Sequence, residues 1–254
     1  MSWAWQNRDQ IGHLLLSHLY LALVPVLFGI VVAIPVGIMC VRWRWTWPPI
    51  LSLTSIFYAL PSLALYLVLI AYTGLTDWTV IIPLTLFSLS VLIPNVVDGL
   101  RSVPQPVQQA AVAMGFGRLR QTIQVELPLA VPIIIAGLRV ATVSSISLVS
   151  VGQLIGIGGL GYFFTDGEQR DFSTEIYVGL VLIILLALLF DGLLVLARHW
   201  LTPWEAGRAP RGERRRAVTV TLGGSSAGLT GAHAGHHAGH AGGGGGHGGG
   251  GGHG

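Results

Sequence analysis

The chain contains no lysine; all 14 of its basic residues are arginine, which reads as a compositional bias. Charged residues make up only 10% of it, and there is one cysteine, Cys40. A lone cysteine excludes a disulfide framework or a thiolate metal centre within one chain. Soluble domains carry roughly 25% charged residues, so this scarcity excludes an ordinary water-facing surface. No G-x-x-x-x-G-K-[ST] loop is present to cradle a nucleotide phosphate. No H-E-x-x-H pair, Ser/His/Asp set or carboxylate dyad points to catalysis, and His13 and His18 read as lone interfacial residues. The sequence pI near 9.4 invites a nucleic-acid reading. The arginines sit beside apolar segments, however, as a topology signal does.

Apolar residues are abundant, at 52% of the 254, with a mean hydropathy of +0.68. About 20 apolar residues span the hydrocarbon as a helix. Five stretches qualify: His18–Val41, Leu51–Tyr72, Trp78–Val97, Val131–Leu154 and Ile176–Ala197. The reading is an all-α integral membrane protein of five spans, with room for a sixth. Arginine alternates between connections. Arg42 and Arg44 follow the first span and Arg101, Arg118 and Arg120 the third, while the loop after the fourth is acidic. Arg-rich connections belong in the cytoplasm, which puts the N-terminus outside and the C-terminus inside. Residues 1–17 are expected to lie along the interface and 18–201 to form the membrane domain. Residues 202–222 form a basic tail. Residues 223–254, rich in Gly, Ala and His, lack the apolar content to fold.

One cytoplasmic segment stands out, residues 100–130. Pro106 opens a helix over Gln105–Met114, where a missing N–H costs nothing. Gly115 and Gly117 let the chain turn, and a second short helix, Arg118–Val125, leads into the next span. Ala110, Ala111 and Ala113 make a smooth surface, and Met114 and Phe116 an adaptable apolar knob. Two readings stand side by side: a docking surface for another protein, and an amphipathic connector on the headgroups.

The segment resembles the "EAA" loop of ABC-importer permeases. Gln109-Ala110-Ala111 is followed, after three intervening residues, by Gly115 and, after nine more, by Val125-Glu126-Leu127-Pro128. Gln109 stands where the pattern has Glu, and Val125 where it has Ile. Phe57–Leu65, Val125–Val143 and Ile155–Gly161 are similar to the osmoprotectant subfamily, which takes glycine betaine, carnitine, choline or proline betaine. The resemblance implies a type I importer core and a permease carrying no cofactor of its own. Its partners would be a separate ATPase that binds ATP and docks on Gln109, Ala110, Ala111, Met114, Gly115, Leu127 and Pro128, an extracytoplasmic binding protein, and a second permease, identical or paralogous. Methionine or sulfonate as the solute, and an ATPase-independent transporter or channel, are the rival readings.

Further candidates follow. In the fourth span Ser144, Ser147 and Gln153 share a face; either they line a path for a polar solute or they pack helices closely. Tyr58 and Tyr66, eight residues apart, are candidates for an aromatic cage around a quaternary ammonium, with core packing as the alternative. Gly156, Gly158, Gly159 and Gly161 match G-x-G-x-x-G literally, but no βαβ unit surrounds them. They read as part of an outer gate or as a plain helix end. Charge within a bilayer is costly unless paired, so Arg139 is expected to pair with Asp191 or Asp98.

Overall fold

A computed structural model describes residues 7–203. Residues 1–6 and 204–254 lie outside it, and with them most of the expected basic tail and the whole Gly/His-rich segment. No strand occurs among the described residues. Helix α1 runs Arg8–Arg42 and contains Pro25 and Pro35. A single 3-10 turn, Arg44–Thr46, leads to α2 (Trp47–Ala59), which opens on Pro48 and Pro49. Then come α3 (Ser62–Thr73), α4 (Trp78–Arg101) and α5 (Gln105–Ala113). Helix α6 (Arg118–Gln121) passes through a π turn, Thr122–Glu126, into α7 (Leu127–Val151). Two short 3-10 turns, Gly152–Ile155 and Gly159–Gly161, precede α8 (Tyr162–Gln169) and α9 (Ser173–Leu201).

Among the described residues, four helices are long and apolar enough to cross a membrane: Arg8–Arg42, Trp78–Arg101, Arg118–Ile155 and Ser173–Leu201. The stretch Leu51–Tyr72, expected as one span, is instead two helices bent by 93°, a fifth crossing only if the pair counts as one. Pro61 is the cause. Proline pushes its predecessor out of the helical region, and Leu60 and Pro61 are both extended, with ψ 130° and 123°. The expected boundary between residues 17 and 18 is also absent, since α1 passes through it unbroken. No helix supplies a sixth crossing among the described residues.

Helix α7 is central, packed on α1, α4 and α9. Lipid tails are as apolar as leucine, so close backbone approach and hydrogen bonds hold such helices together. Gly37 of α1 lies where a β-carbon would overlap Val96 of α4, and one at Gly137 of α7 would come 2.5 Å from the Asn95 side chain. Ser145 of α7 donates its hydroxyl to the Ala22 carbonyl of α1 at 2.8 Å. One apolar cluster gathers Leu21, Tyr66, Leu84, Ile146 and Phe163; a second gathers Ala33, Leu92, Val96, Ala130 and Ile134. Gly137→Val should therefore lower stability by about 1–3 kcal/mol through overpacking, read as a lower unfolding temperature in detergent. Gly192→Ala, with nothing within 4 Å of the added carbon, should not.

Candidate functional site

The polar segment is built as a braced loop at one end of the bundle. Helix α5 ends in a tight cap: the N–H of Phe116 donates to Ala111 O at 3.1 Å and that of Gly115 to Val112 O at 2.9 Å. This two-bond closure requires a left-handed residue between them, and Gly115 supplies it at φ +82°. Ala111 is buried at 1% exposure, whereas Gln109, Ala110 and Met114 are exposed. Leu127 and Pro128 are half-buried where α7 begins. The π turn closes around Glu126, 9% exposed. Its carboxylate accepts from Gln121 Nε2 at 2.9 Å and from the Thr122 hydroxyl at 3.0 Å. Arg120 donates to Gln124 at 2.8 Å and lies over the Phe116 ring. A cavity of about 290 Å³ separates these residues from the C-terminal end of α1, at Ile38, Val41 and Arg42. Arg101 covers the Trp47 ring, tying α4 to the start of α2. The second short helix expected over Arg118–Val125 is thus only the first turn of a longer one.

Farther along α7, Arg139 meets α9. Its Nε and Nη2 each donate to an Asp191 carboxylate oxygen at 2.7 Å, a bidentate pair whose side chains are 34% and 31% exposed. Asp98 is exposed on α4 and takes no part. A cavity of about 470 Å³ borders the pair, lined also by Ala136, Val140, Val143 and Ser144. Ser147, one turn on, is exposed and donates to Val143 O. Gln153 leaves that stripe because α7 ends before it; it packs instead against Gly158. The two tyrosines fall on opposite sides of the Pro61 bend. Tyr66 is fully buried, its hydroxyl donating to Leu148 O at 3.3 Å, while Tyr58 is 61% exposed and stacks on Phe87.

At the other end, His18 is not interfacial but wholly buried. Its Nδ1 accepts the Leu160 N–H at 3.2 Å, so Nε2 carries the proton and donates to Ile146 O at 3.0 Å. The Gly156–Gly161 turn is therefore clamped to α1 and α7. Gly159, at φ +51°, sits so close that a β-carbon would fall 2.7 Å from the His18 Cα. Gly158 and Gly161 are buried and Gly156 is exposed. Beyond lies α8, which the sequence reading left as loop. There Asp166 pairs with Arg170 at 3.2 Å and accepts from the Tyr162 hydroxyl. Desolvation first, and then the Asp166 charge, push that phenol above its usual range.

Residues 25–204 match the family described as "Binding-protein-dependent transport system inner membrane component". The chain belongs to that family of transport permeases. The permease is 33% identical over 187 residues to the glycine betaine/carnitine/choline transport system permease protein OpuCD of Bacillus subtilis, covering 73% of this chain and 82% of that one. It is 29% identical over 202 residues to the osmoprotectant import permease protein OsmW of Salmonella typhimurium, covering 78% and 94%. Its fold is that of a chain from the inward-facing MetNI methionine ABC transporter, with a TM-score of 0.66 at 22% identity over 74% and 94% of the two chains. The permease is thus a multi-pass inner-membrane protein with a type I importer core. Its loop brace and its histidine clamp are features that motif reading missed. The available signal was a polar residue, Glu126 or His18, in apolar company, since a buried polar group needs partners. Glu126→Ala takes the acceptor from Gln121, while the Thr122 hydroxyl keeps the Arg118 carbonyl at 3.1 Å; loss of the brace costs about 1 kcal/mol. Hydrogen exchange of amides 118–126 in the intact permease should quicken accordingly, while that of α4 stays unchanged.

Proposed function

We propose that the permease forms the membrane path of an ATP-driven importer for glycine betaine, carnitine or choline. On this reading a separate ATPase grips the loop over Gln109–Pro128, an extracytoplasmic binding protein delivers the solute, and a second permease completes the path. The N-terminus faces outside, and Arg42, Arg101, Arg118 and Arg120 mark the cytoplasmic end. The single observation that carries the coupling role is that the segment after the exposed Ala/Met surface runs, from Arg118, as helix through the Glu126-braced π turn straight into a membrane helix. The solute class is supported by the relatives, which are named as transporters of glycine betaine, carnitine and choline. The likeness to the methionine transporter supports the fold alone.

ATP binding drives transport only insofar as it favours one conformation over another. The loop carries that bias: closure of the ATPase pair displaces α5, and the continuous helix transmits the displacement to α7. Gln109 offers its partner a neutral amide, so the grip there rests on shape and hydrogen bonding. The polar stripe of Ser144 and Ser147 is the candidate path lining, and the clamped glycine turn the candidate outer gate.

Gly115 separates loop shape from loop chemistry. An αL residue other than glycine costs about 1–2 kcal/mol, and Asn tolerates it best. The added β-carbon meets nothing within 4 Å in this chain. Gly115→Asn should keep solute uptake near wild type. Gly115→Glu should insert normally yet abolish uptake and co-purification with the ATPase. Wild-type uptake by Gly115→Glu would overturn the coupling role. Competition by methionine but not by glycine betaine would overturn the solute.

A further inference from the structure

The outward faces of α1 and α9 are apolar, as lipid requires: Leu27, Phe28 and Val31 on one, Leu185, Leu188 and Leu189 on the other. Helix α7 differs. Its three packed faces leave one open stripe, where Ala136, Val140 and Ser147 are exposed and Arg139, Val143 and Ser144 half-buried. A guanidinium on such a stripe is costly in hydrocarbon unless it is paired or wetted. Asp191 satisfies only one edge of it, through Nε and Nη2. Nη1 has no hydrogen-bond partner among the described residues, and Arg139 borders the roughly 470 Å³ cavity that Ser144 also lines.

We propose that this cavity is a carboxylate-binding station on the solute path, with Arg139 Nη1 and the Ser144 hydroxyl as its donors and Asp191 as the residue that positions the guanidinium. This rests on the reading of the chain as a permease for methylated zwitterions. Arginine presents donors only, in a fixed fork that matches a carboxylate. Asp191 neutralises the charge overall, so a passing carboxylate is held without being trapped. The remaining walls, Ala136, Val140 and Val143, are apolar and suit a methylated ammonium, which has no hydrogen to donate. A solute with a carboxylate at one end and trimethylammonium at the other fits both halves. Choline, with a hydroxyl in place of the carboxylate, fits one.

Thiol labelling tests the station apart from transport. In the full complex with its ATPase, Ser144→Cys would be exposed to negatively and positively charged methanethiosulfonates of similar size; the native Cys40 is fully buried. With each rate divided by that reagent's rate on a free thiol in solution, the anionic reagent should be favoured about tenfold by the local pull of the open guanidinium edge, and Arg139→Gln in the same background should abolish the preference. Asp191→Asn frees the guanidinium instead of removing it, so it should increase the preference, and it serves if Arg139→Gln fails to insert. Equal rates for both reagents after that division, no reaction with either, or no change with Asp191→Asn would overturn the station. Glycine betaine should slow the labelling and choline should not. Anion-selective labelling that glycine betaine leaves untouched would uphold the station and count against the proposed solute.

Discussion

One unbroken run of helix, from Arg118 through the π turn to Val151, joins the polar loop to the centre of the bundle. The coupling proposed for this permease depends on its stiffness. Helical hydrogen bonding alone would leave the widened turn at Thr122–Glu126 a weak point. The buried Glu126 carboxylate, held by Thr122 of the same turn and by Gln121 just before it, braces it. A π turn is a frequent device at functional sites, and here it sits where a push from the loop enters the membrane helix.

The same logic of satisfied polar groups runs through the bundle. Ser145 reaches the Ala22 carbonyl, Tyr66 the Leu148 carbonyl, and His18 both Ile146 and Leu160. Each bond crosses between elements, so each holds packing that hydrophobicity cannot hold in lipid. Arg139 and Asp191 belong to the same economy with one difference: their pair is open on one side. Helix α9 has only 11% of its most apolar stretch buried, and it touches the rest mainly through α7 and α8. The ion pair is therefore a principal polar tie between α9 and the bundle.

Span positions were legible because long apolar runs are unambiguous; α1, α4, α7 and α9 fall where hydropathy puts them. The loop was legible because fixed spacing marks it; of the two glycines expected to turn the chain, Gly115 is the left-handed cap, whereas Gly117 is extended at φ −68°. The bend at Leu60-Pro61 was not foreseen, because proline is tolerated inside α1 and α4 and composition does not say which proline breaks a helix. There, two successive extended residues decided the matter. Tyr58 and Tyr66 shared a face only on an unbroken helix, and the bend separated them. Gln153 left the Ser144–Ser147 face because α7 tightened into a 3-10 turn first. His18 read as interfacial because its acceptor and donor lie 128 and 142 residues away, a relation that only the fold brings together.

The central claim is that loop and α7 move as one body. Spin labels at Leu119 and Val140, both exposed, would stand roughly 30 Å apart at about 1.5 Å per helical residue. Their separation within one permease can be measured by pulsed dipolar spectroscopy in the ATPase complex, with and without bound ATP. The account predicts one narrow distance, the same in both states. A distance that shifts or broadens on ATP binding would show the loop moving on its own and contradict it.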